Sequence, residues 1–229
     1  MKKIFITGIN SGFGKALKNE FIENGYDIYG ISKNIKNETK KIKKADLVNN
    51  INLKKKIINL FKNVKNFDYV ILNAGILGKI DKVDNINEKN IIQSLNISLF
   101  ANKIIVDQII KNQIKVKSII GISSGASLSP KFGWFTYSLS KVSLRFLIES
   151  YALEFKNYHF INYNPGLIDT KMQKKIRQLD DKKFPSIKIF KDNFRKKLIP
   201  SPDKSAKQFF KSLKLLRKLN SGSYFDIRK

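Results

Sequence analysis

KIFITGINSGFGKALKNEFI, residues 3–22, is the stretch that decides how the chain is read. Lys3–Thr7 is an apolar run of strand length, and Ala16, Leu17, Phe21 and Ile22 then recur at helical spacing. Between them lies Gly8-Ile9-Asn10-Ser11-Gly12-Phe13-Gly14. Glycines let a backbone approach a ligand closely, while a helix start offers unpaired N–H groups and the positive end of its dipole. The segment therefore predicts an α/β sheet with a phosphate-binding turn, although a Gly-rich turn alone is also compatible with a structural role.

A second stretch, KSIIGISSGASLSPKFGWFTYSLSK at 117–141, carries chemistry. Ser118–Ile122 reads as a strand, Ser123-Ser124-Gly125-Ala126 as a turn, and Tyr137 and Lys141 stand four residues apart. On a helix those two share a face. A free tyrosine titrates near pH ~10, and a nearby cation lowers such a value by about 1–3 units, towards the range of a general acid. Ser124, ahead of Tyr137, is placed to hold a substrate oxygen.

At these residues the chain resembles the short-chain dehydrogenase/reductase family, and the resemblance covers essentially its whole length. The resemblance implies a single-domain Rossmann fold over 1–229, a doubly wound parallel sheet of about seven strands with helices on both faces. It further implies Asn96, Ser124, Tyr137 and Lys141 as catalytic residues. Gly8, Asn10, Ser11, Gly12, Phe13 and Gly14 would form the loop for the cofactor's phosphates, and Asp46 and Leu47 would meet the adenine. Asn73, Ala74 and Gly75 line the same site in the family, as do Pro165, Gly166, Ile168 and Thr170 near the nicotinamide. Leu72 stands where the family pattern Asn-Asn-Ala-Gly has its first Asn. The strand Asp27–Ile31 ends in Ser32-Lys33-Asn34, with no carboxylate for a ribose hydroxyl and a cation for a phosphate, so NADP(H) is favoured over NAD(H).

A narrower resemblance rests on Pro130-Lys131-Phe132-Gly133-Trp134, on Asn162–Gln173, and on a terminal Ser221-Gly222-x-x-x-Asp226. Together these are similar to the sepiapterin reductase and bacterial benzil reductase branch. That branch implies reduction of a ketone or vicinal dicarbonyl, with Tyr137 as general acid and Ser124 and Tyr137 on the carbonyl oxygen. Asp226 would anchor the substrate, and Trp134, Leu167 and Met172 are candidates for its apolar wall. A sugar-nucleotide or other anionic carbonyl is the alternative substrate, and a non-catalytic NADP-binding protein the alternative role.

The remaining pattern agrees with such a sheet. Ala45–Leu47 reads as the end of a third strand, Leu53–Val64 as a helix, Asp68–Leu72 as a fourth strand and Glu88–Lys111 as one long helix holding Asn96. Tyr158–Tyr163 and Ser221–Ile227 read as later strands. Between them, residues 171–200 contain two short helical patterns, which in the family cover the substrate. Pro202 suits the first turn of a last helix.

A chain of 229 residues suits one sizeable core, and with no cysteine it has neither disulfides nor thiolate chemistry. His159, the single histidine, has no companions for a metal site and reads as a core residue. The net charge of +27 invites a nucleic-acid reading, but the lysines are scattered and no basic motif is interleaved with aromatics. The partner expected is a small-molecule carbonyl, with no specific nucleic acid and no membrane. No apolar run of signal-peptide or membrane-span length is present, so a cytoplasmic protein is expected. A homodimer or homotetramer is implied by resemblance only. Gly121-Ile122-Ser123-Ser124-Gly125 also satisfies the nucleophile elbow of α/β-hydrolases, for which His159 would be the sole candidate base.

Overall fold

The computed structural model describes all residues, Met1–Lys229. Seven strands form one sheet: β1 Lys2–Thr7, β2 Tyr26–Ser32, β3 Ile42–Lys44, β4 Asn66–Leu72, β5 Lys115–Ile122, β6 Phe160–Asn164 and β7 Tyr224–Asp226. Their order is β3-β2-β1-β4-β5-β6-β7 and every pair is parallel. Parallel strands need crossover connections, which put helices on both faces and bury both. The sheet therefore separates two cores. Phe5, Val70 and Ile119 point into one, packed by α2 (Asn50–Phe61), α4 (Ala101–Lys111) and α5 (Phe135–Glu154). Ile4, Ile6, Ile71 and Ile120 point into the other, packed by α1 (Gly12–Glu23) and α8 (Pro202–Leu216).

The chain leaves β1 first towards β2 and β3, then returns to the far side of β1 as β4. At that reversal the crossovers diverge and leave a crevice beyond the carboxyl ends of the strands. Two further helices, α6 (Lys171–Arg177) and α7 (Ile187–Arg195), meet over a small third cluster around Trp134, Ile176 and Ile187. Local chemistry sets the helix starts. Asn49 accepts from the Asn52 N–H ahead of α2, and Ser201 accepts from the Lys204 N–H with Pro202 opening α8.

Several boundaries differ from the sequence expectations. The third strand ends at Lys44, and Ala45–Leu47 follows it as a turn whose Ala45 N–H still reaches the Ser32 carbonyl. The long helix is α3 (Glu88–Leu95) joined to α4 by a π turn at Asn96–Phe100. Such a turn inserts one residue without breaking apolar spacing on either side, so periodicity does not reveal it. His159 precedes β6, with Nδ1 paired to the Ser118 hydroxyl and Nε2 to the Leu219 carbonyl. No helix is long and apolar enough to cross a membrane.

Phe209 joins α8 to the sheet: it is fully buried, edge-on to Tyr163 at 4.8 Å and to Phe13 at 6.2 Å. Phe209→Ala is expected to lower the urea unfolding free energy by about 3–5 kcal/mol, and a loss under about 1 kcal/mol would contradict this packing.

Candidate active site

The site begins with a clasp between β1 and β4. Thr7 Oγ1 accepts from the N–H groups of Asn73 and Ala74, both at 2.9 Å, and Asn73 Nδ2 donates to the Thr7 carbonyl at 2.9 Å. These bonds hold the 8–14 turn beside residues 73–75. A Cβ on Gly14 would collide with the Gly8 carbonyl and with Asn73, so the turn closes only around glycine. Leu72 is fully buried in the apolar core, so a polar role at that position is absent from this chain.

Ser11 precedes α1 without capping it, and the first turn has no acidic residue. The leading N–H groups of α1 therefore lack side-chain acceptors, at a place where Gly12, Phe13 and Gly14 line a cavity of about 660 Å³. An anionic group suits this end.

Across the cavity stand Ser124, Tyr137 and Lys141. Ser124 ends the β5 turn, and its hydroxyl accepts from the Ala126 N–H at 3.2 Å. Tyr137 and Lys141 lie on successive turns of α5, with Nζ 5.9 Å from the phenol ring centre. Lys141 is buried and unpaired by any carboxylate, and its ammonium donates to the Ile122 carbonyl at 2.8 Å. Burial lowers its pKa to about 8. The expectation that Lys141 brings the Tyr137 pKa down is not met by these positions. Burial pushes the phenol upward, and the Ser124 hydroxyl is what pulls it back.

Most other residues named from the sequence line the same cavity. Gly8, Ser11, Ser32, Lys33, Asp46, Leu47, Asn73, Ala74 and Gly75 line it. Pro165, Gly166, Leu167, Ile168, Thr170 and Met172 line it as well, with the Thr170 methyl beside Gly12 of the glycine turn. Trp134 forms a wall, stacked on Phe190 at 5.3 Å and donating from Nε1 to Ser186 Oγ at 2.9 Å. Thr170 also caps α6 by accepting from the Gln173 N–H.

Three named residues lie off this cavity. Asn10 borders a neighbouring pocket and donates to the Asn34 carbonyl. Asn96 opens the π turn and accepts from Asn50 Nδ2 at 3.1 Å. Asp226 is buried, and its carboxylate takes the Nε and Nη2 of Arg228 at 2.8 and 2.6 Å and the Asn164 amide at 2.9 Å. The guanidinium holds that carboxyl below the usual range. Arg228, which the sequence reading passed over, is the member of the pair that reaches the cavity. Its signal in the sequence was only its position two residues beyond Asp226.

The hydrolase reading finds no support. Ser123 Oγ is buried against Ser127 Oγ at 3.1 Å, while both His159 nitrogens are engaged with Ser118 and Leu219.

A family model described as short chain dehydrogenase matches residues 2–181. A Bacillus cereus protein described as benzil reductase ((S)-benzoin forming) is 29% identical over 212 residues, covering 83% of this chain and 85% of the relative. A Bacillus subtilis protein of the same description is 25% identical over 244 residues, covering 100% and 99%. Among solved structures, the KRED1-Pglu enzyme superposes with a TM-score of 0.85 at 24% identity, covering 98% of this chain and 100% of that one; this bears on the fold.

The buried ammonium implies a test. Its pKa in the folded chain, about 8, is below the ordinary 10.5, so its cost to folding is full below pH 8 and disappears as pH rises towards 10.5. Lys141→Met should therefore be more stable than the parent at pH 7, by about 1–3 kcal/mol, with the difference shrinking by pH 10. Urea unfolding at the two pH values checks it; a destabilised variant at pH 7 would contradict an uncompensated charge.

Proposed function

The chain belongs to the short-chain dehydrogenase/reductase family, and from that premise we propose that it is an NADPH-dependent carbonyl reductase. The observation that carries the reading is the convergence of Ser124, Tyr137 and Lys141 on a cavity that also contains the open, uncapped start of α1. The glycine turn, Asp46, Leu47 and the Pro165–Thr170 segment would hold the dinucleotide, and the nicotinamide when bound supplies hydride.

The side chains account for the rest of the reduction. A substrate carbonyl oxygen held by the hydroxyls of Ser124 and Tyr137 is stabilised as it gains negative charge. Tyr137 donates its proton to that oxygen. Burial keeps the phenol protonated at neutral pH, so it is present as the acid. Lys141 compensates the phenolate left behind, and in that moment its own buried charge gains the partner it otherwise lacks. A relay through Asn96 would need water to span from it to Lys141, because its side chain bonds Asn50. Trp134, Leu167 and Met172 supply apolar surface for the substrate, and α6 and α7 serve as the lid that excludes solvent.

Benzil or another aromatic diketone is the substrate class the similar proteins suggest. Preference for NADPH is supported by Ser32 and Lys33 at the cavity lip. Lys33 pairs with Asp46 at 2.8 Å, but the lysine is largely exposed and Asp46 only partly buried, so the pair is weak and a phosphate can compete for the cation. Exposed Ile92, Phe100, Phe146 and Leu153 on α3, the π turn and α5 support a homo-oligomer.

Tyr137→Phe is expected to reduce turnover of benzil by at least ~100-fold while NADPH binding, followed by its fluorescence, stays within about threefold. Near-normal turnover would remove Tyr137 from the acid's role. Lys33→Glu should raise the KM for NADPH by about tenfold or more and leave that for NADH little changed; an equal effect on both would dissociate Lys33 from the phosphate.

A further inference from the structure

Resting on the carbonyl-reductase reading, we propose that among vicinal dicarbonyls the site prefers those whose second carbonyl belongs to a carboxylate, and that Arg228 binds that carboxylate. A guanidinium can engage two carboxylates, one along Nε and Nη2 and one across Nη1 and Nη2. Asp226 takes the first edge of Arg228 with both oxygens, at 2.8 and 2.6 Å. Nη1 has no partner, and the side chain is 58% exposed where it borders the cavity. The second edge is therefore open.

The placement is built into the fold. Asp226 ends β7 with its side chain only 5% exposed, and the Asn164 amide and the Arg228 N–H fix the same carboxylate. The stem of Arg228 lies over the turn at Gly166, where φ is +70° and a Cβ would stand 3.1 Å from Cδ. Glycine at that position gives the arginine its path. From there Nη2 comes within 3.9 Å of where a Cβ on Gly125 would be, and Gly125 adjoins Ser124. Nη2 thus stands beside the residue that follows Ser124, a separation that a carboxylate a few bonds from the ketone would span.

The charge around the cavity points the same way. Lys131, Lys141, Lys171 and Arg228 line the cavity, and the one carboxylate on its wall, Asp46, is paired with Lys33. Asp226 is thus a positioning residue for Arg228, and its own oxygens are already engaged.

The test compares phenylglyoxylate with its methyl ester, which keeps the ring and ketone and removes the charge. Trp134 is the chain's single tryptophan and lines the cavity, so its fluorescence reports binding without turnover. With saturating NADP+, the acid should bind at least ~10-fold tighter than the ester, and kcat/KM with NADPH should show the same preference. In Arg228→Met the ratio should fall to near unity. Arg228→Lys, which keeps charge but loses the fork, should lie between. Because Arg228→Met leaves Asp226 unpaired, the double variant Asp226→Asn/Arg228→Met is run beside it and should show the same loss of preference. Equal affinity for acid and ester in the parent, or equal losses on both in the variants, would overturn the proposal. Turnover of the ester with no preference for the acid would leave carbonyl reduction standing and reject Arg228. Binding preference without turnover of either compound would leave Arg228 an anion site and overturn the keto acid as substrate, while benzil turnover, run alongside, tests the reductase reading separately.

Discussion

The site depends on three hydrogen bonds at the ends of two strands. Thr7, fully buried, meets the N–H groups of Asn73 and Ala74 while the Asn73 amide returns to the Thr7 carbonyl. Backbone groups beyond the last ladder bond of a strand ordinarily turn to water, and in a buried place each needs a partner. Here the partners are each other. The clasp holds the glycine turn against the 73–75 segment, and both border the cavity beyond the strand ends. Everything assigned to the cavity, from the α1 start to Lys141, faces that opening.

Lys141 shows the opposite economy. A buried ammonium with one carbonyl partner weakens the fold, as its lowered pKa records, and a protein selected for stability alone would not retain it. Strain of this kind collects where chemistry needs it. Trp134 completes the picture from the other wall: through Ser186 and Phe190 it fastens the start of α5 to α7, so the helix carrying Tyr137 and the helix covering the cavity share one apolar cluster.

Local features were legible in the sequence. The strand, glycine turn and helix at 3–22, and the four-residue step from Tyr137 to Lys141, depend on neighbours along the chain, and they stand where spacing put them. Features joining distant segments were not. The sequence offers Asp226 as a carboxylate at the end of a strand but does not show that Asn164, far away in sequence, and Arg228 occupy its oxygens. Nor does it show the pairing of Lys33 with Asp46, which the turn after β3 brings to 2.8 Å. The π turn at Asn96 was hidden because it preserves the apolar faces of α3 and α4. The large positive charge, so prominent in composition, resolves into scattered lysines, some of them, such as Lys79 and Lys103, in weak surface pairs.

The central claim is that this cavity delivers hydride to a carbonyl carbon. The direct measurement is isotope transfer: benzil is incubated with the protein and NADPH carrying deuterium at both C4 positions, and the product is examined by mass spectrometry and NMR. The account expects one deuterium on the new carbinol carbon, with NADPH consumed in equal amount. NADPH left unoxidised while it binds the protein, or product without deuterium at that carbon, would contradict it.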